Sequence, residues 1–119
     1  MIKSFTDLEQ SKKLAEILPL ESADMHYGEY CASGESYPIP NCDDDYNGHC
    51  CWSLAALLGV LPKSGKYEPF IDIRYNRIEY HAVDDEIEDK DYLLCYTDGR
   101  SLLDACYEMI IKLHELKML

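Results

Sequence analysis

An α+β fold, with a three- or four-stranded antiparallel sheet packed with a C-terminal helix and a short central helix, is what the sequence predicts. Three observations carry that expectation. Apolar residues recur at helical intervals from Leu102 to Leu116, a short continuous apolar run from Leu54 to Leu61 lies between Ser53 and Pro62, and the period falls to two between Phe70 and Tyr96.

The first element is a helix over about residues 7–18. Thr6 is placed to cap it, and Glu9, three residues on, is placed to reach back as in a capping box. Leu8, Leu14, Ile17 and Leu18 supply its apolar residues, and Pro19 ends it by constraining the residue before it and lacking a donor. From Glu21 to Asn47 no helical period persists. Met25 and Tyr27 alternate as one brief strand, with Tyr30 as its optional extension, and GESYPIPNCDDDYNG reads as an extended surface loop stiffened by Pro38 and Pro40.

Ser53 caps the next helix, in which Leu54, Leu57, Leu58 and Leu61 share a face. Its apolarity predicts burial on most of its circumference, and Ala55, Ala56 and Gly59 predict the close approach of another element, which makes it the candidate central helix of the core. In FIDIRY, Ile71, Ile73 and Tyr75 face one way and Phe70, Asp72 and Arg74 the other, with Asn76 and Arg77 as a tight connection into IEYHAV. There Ile78, Tyr80 and Ala82 form one row against Glu79, His81 and Val83, so one face of the sheet is the wetter. YLLCYTD is the third strand of an antiparallel meander. Ser101 and Asp104 then open the last helix with capping-box spacing, and Leu102, Leu103, Cys106, Met109, Ile110, Leu113 and Leu116 form its stripe. No internal repeat and no long linker divides the chain, which reads as a single domain over residues 1–119.

Charge narrows the function. The 119 residues carry a formal net charge of −12, which argues against direct nucleic-acid binding and against a polybasic membrane surface. No run approaches the ~18 apolar residues that span a bilayer, and no hydrophobic segment follows the N-terminal lysine. The expectation is a cytoplasmic protein whose six cysteines are thiols.

The segment CDDDYNGHCC gathers Cys42, His49, Cys50 and Cys51, with Cys31 as a distant extra ligand, and a small structural zinc-binding protein is one alternative reading. The spacing lacks a C-x-x-C knuckle, and the aspartate run lacks the closing glutamate of a calcium loop, so no metal residue is assigned. A thiol nucleophile at Cys50 or Cys51, with His49 or His81 as base, is weighed against inert packing and not assigned. Phosphate-cradling glycine loops are absent. The sequence thus predicts no catalytic residue, no cofactor and no enzyme.

What remains is protein binding. Tyrosines number ten against two phenylalanines, and Tyr27, Tyr30, Tyr37, Tyr46 and Tyr67 lie mainly in the irregular half, where amphipathic rings offer both packing and hydroxyls. Six carboxylates against Lys90 leave −5 in the eight residues from Asp84 to Asp91, with Ile87 as an apolar anchor. Tyr37, Tyr46, Asp84, Asp85, Ile87, Glu88 and Asp89 are therefore the candidate partner-binding residues of a non-enzymatic accessory domain, its partner a basic or other protein. The spacing leaves the oligomeric state open.

Three segments, TDLEQSKKLAEILPLESADM, CWSLAALLGVLP and SLLDACYEMIIKLHE, resemble a family of small uncharacterised proteins of gut-bacterial phages and prophage-like regions. Gln10, Ser22, Ala23, Asp24, Met25, Trp52, Ser53, Leu54, Asp104 and Ala105 carry that resemblance. It implies no activity. It does imply a second kind of partner, making an acidic phage-derived inhibitor or DNA mimic, bound to a basic host protein, the alternative to a general protein-binding domain.

Overall fold

A computed structural model describes residues 3–29, 36–40, 50–63, 67–83 and 91–119, with only the backbone described at residues 28, 29, 36–40, 83, 91 and 92. The α+β class holds, with its strands divided between two small antiparallel sheets. Helix α1 (Leu8–Ile17) and a single 3₁₀ turn (Leu20–Ser22) lead into strands β1 (Met25–Glu29), β2 (Ser36–Pro40) and β3 (Cys50–Cys51). Helix α2 (Leu54–Val60) precedes strands β4 (Tyr67–Asp72), β5 (Arg77–Val83) and β6 (Asp91–Asp98), and helix α3 (Leu102–Glu115) closes the chain. The first sheet has the order β2-β1-β3 and the second the order β4-β5-β6.

The N-terminal helix begins one residue later than Thr6 allows. Asp7 is its cap, accepting from the Gln10 amide at 2.8 Å, while the Gln10 side chain accepts from the Asp7 amide at 3.1 Å. Thr6 is fully buried and otherwise engaged: its Oγ1 accepts from the Trp52 amide at 3.0 Å and lies 2.8 Å from the Ser11 hydroxyl. A buried main-chain donor has first claim on the hydroxyl, because leaving it unpaired costs more than an exposed cap gains. Thr6 and Trp52 also join through the Thr6 amide to the Trp52 carbonyl at 2.9 Å, which stitches the N-terminus alongside β3.

The core is organised around α3, which packs on β6 and β5, on α2 and on α1. Its stripe of Leu103, Cys106, Met109, Ile110 and Leu113 is fully buried and meets Ile78 and Tyr80 from β5, Leu57 from α2, Leu14 from α1, and Trp52. The central role expected of α2 thus belongs to α3. Within α2 only Leu57 is buried, and Gly59 is exposed, with open space where a Cβ would stand. Seven residues are too few to be enclosed on all sides once the 14-residue amphipathic α3 covers the sheet.

Ile78 and Tyr80 face inward as the period-two pattern predicts. Ile73 and Tyr75 do not continue the strand: they lie in the turn between β4 and β5, which Asn76 closes with a φ of 49°. A register irregularity at Tyr80/His81 makes Leu94 an extra residue in β6, so Cys95 and Thr97 point to the core side. The Thr97 hydroxyl donates to the Ala105 carbonyl at 2.7 Å, and the Tyr80 hydroxyl to the Pro62 carbonyl at 2.8 Å. Gly99 makes the turn into α3 possible, because a Cβ there would stand 2.9 Å from the Asp104 Cβ.

Candidate functional site on the open sheet face

The second sheet has one face on α3 and one on solvent. Cross-strand pairing sets the outward residues: Glu68 opposite His81, Phe70 opposite Glu79 and Asp72 opposite Arg77 on one side of β5. On the other side stand Leu93 opposite His81, Tyr96 opposite Glu79 and Asp98 opposite Arg77. Along β5, Arg77, Glu79 and His81 share this face because strand side chains alternate.

These three make a row bridged by one carboxylate. Glu79 Oε1 lies 2.8 Å from Arg77 Nε, and Glu79 Oε2 lies 3.0 Å from His81 Nε2. The Arg77 contact has ion-pair distance without hydrogen-bond alignment, so its attraction is chiefly coulombic. Rings close the row at both ends: the Arg77 guanidinium carbon stands 3.8 Å from the Tyr96 ring centroid, and the Phe70 and His81 ring centroids are 4.5 Å apart. The His81 hydrogen bond, seconded by the Arg77 charge, holds the Glu79 carboxyl below its ordinary value. His81 Nδ1, on the far side of the ring from Glu79, is buried without a hydrogen-bond partner among the described residues.

Around this charge-compensated row the apolar surface is wet. Phe70 is 44 % exposed, Leu93 49 % and Tyr96 45 %. Phe70, Ile71 and Ile73 border an open depression of about 370 Å³ at the turn end. Phe70 and Tyr96, held by His81 and Arg77, lose little freedom when a partner covers them, which suits a docking surface.

The sequence-predicted site residues meet a different fate. Tyr37 falls in β2 with its side chain outside the described residues, and Tyr46, Asp84, Asp85, Ile87, Glu88 and Asp89 lie outside the described residues altogether. The two strands that the acidic connection joins are described, and Val83 and Asp91 are register partners, so both of its ends belong to the second sheet. Of the other tyrosines of the irregular half, Tyr27 is used internally. Its hydroxyl donates to the Thr6 carbonyl at 2.6 Å, and burial pushes it up to about 12.

The cysteine readings are corrected by what the described thiols do. Cys50 is disulfide-bonded, contrary to the expectation of six thiols, and a disulfide sulfur supplies no thiolate to zinc or to a substrate. Cys31, Cys42 and His49 lie outside the described residues. Burial, with the Asp24 charge nearby, pushes the Cys51 thiol up to about 12, and burial alone does the same to Cys106. His81 is half-buried on the other sheet, hydrogen-bonded to Glu79, so the structure does not bring it to Cys51. Among the described residues no group of three or more His, Cys, Asp or Glu side chains is placed to hold a metal ion. No helix among them is long and apolar enough to cross a membrane.

Phe70, Leu93, Tyr96 and the Arg77–Glu79–His81 row are what sequence reasoning missed. Period two put Glu79 and His81 on the wetter face, but nothing in the pattern tells that Phe70 and Leu93 share it. Fold and face together define an acidic α+β protein presenting a ring-bounded sheet surface whose central Arg77–Glu79–His81 row is paired internally. Comparison with protein-family models, with curated proteins and with solved structures finds no match to this chain.

Proposed function

We propose that this chain is a non-enzymatic accessory domain that binds a basic protein through the open face of the β4-β5-β6 sheet and the acidic connection between β5 and β6. One observation carries the reading: Phe70, Leu93 and Tyr96 stay about half exposed around a row whose charges are already matched within the protein. Aromatic and arginine side chains in such a setting are the common anchors of protein interfaces. Charge complementarity selects the partner. Glu68, Asp72 and Asp98 are exposed on the same face, and the connection adds further carboxylates to a chain of net charge −12.

The test uses three proteins: the parent, the double variant Phe70→Ser/Leu93→Ser, and the quadruple variant Asp84→Ser/Asp85→Ser/Glu88→Ser/Asp89→Ser. Each is first matched to the parent by far-UV circular dichroism and then used to capture proteins from bacterial lysate. The expected result is a basic protein held by the parent, lost from both variants, and released as salt rises from about 50 to 300 mM. Capture unchanged by either set of substitutions overturns the reading. A captured protein displaced from DNA by the parent selects the DNA-mimic form of it.

A further inference from the structure

The same sheet has two edges, and they are unlike. β4 carries Pro69 within its ladder, a residue that donates no hydrogen bond and blunts an edge. β6 is eight residues long, contains no proline, and pairs with β5 on one side with no strand on the other among the described residues. Its outward main chain is marked at Tyr96, whose carbonyl accepts from the exposed Lys112 Nζ at 3.5 Å. In an antiparallel ladder the N–H and C=O of one residue point to the same side, so the Tyr96 amide faces outward too. Lys112 thus covers this carbonyl, and at that length its hold is weak.

Resting on the reading above, we propose that the outer edge of β6 takes an extended segment of the partner as an added strand, apolar in its middle and carrying Lys or Arg at both ends. Charge decides between occupants. Asp91 and Asp98 stand at the two ends of the strand, with Leu93, Leu94, Cys95 and Tyr96 between them. Two copies of β6 in full antiparallel overlap place Asp91 opposite Asp98 twice, on chains already at −12 each, and like charges directly opposite are unfavourable. A strand with basic ends reverses both contacts. Cys95 and Thr97 anchor β6 from the core side, the latter through Ala105, so two points of the strand are held before a ligand arrives. An added strand would also widen the face on which Phe70, Leu93 and Tyr96 lie, giving its outward side chains apolar neighbours.

The full chain is panned against a displayed library of random twelve-residue peptides, and enriched sequences are synthesised and measured by fluorescence anisotropy. The expected winners have β-branched or aromatic middles flanked by basic residues. N-methylation of the peptide should weaken binding about tenfold or more at alternate residues only, because one edge of the peptide meets β6. Tyr96→Pro, which removes one outward donor, should weaken it similarly. Since the peptide scan needs no protein variant, it decides the matter if Tyr96→Pro fails to fold. No enrichment, winners without basic ends, or N-methylation tolerated throughout overturns the proposal. So does a doubled mass in light scattering that Tyr96→Pro returns to the monomer, which would make a second copy the occupant. Peptides that lose binding with Phe70→Ser/Leu93→Ser yet tolerate N-methylation would leave the face reading standing and remove strand addition alone.

Discussion

Ser53 shows how much one side chain is asked to do. Its hydroxyl accepts from the Ala56 amide at 3.2 Å, capping α2, and donates to Asp24 Oδ2, while its own amide donates to Asp24 Oδ1 at 2.9 Å. Trp52 beside it donates through Nε1 to the Ser22 hydroxyl at 2.9 Å, and Gln10 donates to Asp104 at 2.9 Å. These three pairs each join separate segments of the chain. Ser53→Ala should destabilise the protein by about 1–2 kcal/mol in urea unfolding, and Ser53→Thr by clearly less, since threonine keeps the oxygen. Equal losses would mean that the hydroxyl is not what matters there. At this scale the sequence was only partly readable. Ser53 and Ser101 announce their helices, and Ser101 Oγ accepts from the Asp104 amide at 3.1 Å as expected, whereas Thr6 was claimed by a buried amide 46 positions away.

Among the elements, α3 does most to hold the molecule together, because a single stripe faces the second sheet and both other helices. Met109 is fully buried, with its sulfur 3.9 Å from the Cys95 Sγ, whereas Leu116, the last residue of the predicted stripe, is 52 % exposed. Met109→Ala should therefore cost about 2–5 kcal/mol in denaturant unfolding, and Leu116→Ala less than about 1 kcal/mol. Near-equal costs would show that the helix packs further along its length than its burial indicates. Periodicity read α3 well because 14 residues give the stripe several repeats. It overstated α2, because a short apolar run announces burial without saying on how many sides.

For the whole molecule, the N-terminus is fastened to α3 by charge. Lys3 Nζ lies 2.8 Å from Asp104 Oδ1 and 3.2 Å from Asp7 Oδ2. Burial alone would push the Asp104 carboxyl up, but hydrogen bonds from Lys3, Gln10 and Ser101 outweigh it and hold the group below its ordinary value of 3.8. Lys3 is the converse, its burial outweighed by Asp104 and Asp7, so that it sits above 10.5. A lowered folded-state carboxyl contributes stability in full above its unfolded value and loses it as pH falls through the folded one; a raised lysine contributes below its unfolded value and loses it as pH rises through the folded one. Asp104→Asn should then destabilise by about 1–2 kcal/mol between pH 5 and 9, with the difference from the parent shrinking below about pH 4. Urea unfolding at pH 7 and pH 3 measures it, and a difference independent of pH would mean that Asp104 acts through shape alone.

Composition and local period determined the class of fold, the acidic character, the helix α3 and the inward row of Ile78 and Tyr80. These depend on residues near one another in the chain, and on a free energy of burial that is the same wherever the core lies. Only the tertiary structure decided which helix is central, that the strands form two sheets, that Cys50 is disulfide-bonded while its neighbour Cys51 is a buried thiol, and that Phe70, Leu93 and Tyr96 meet around Arg77, Glu79 and His81. Each depends on strand register and on which face another element covers. A shift of one residue turns a side chain from core to solvent, and α3, rather than any signal within the strands, covers one face and leaves the other open.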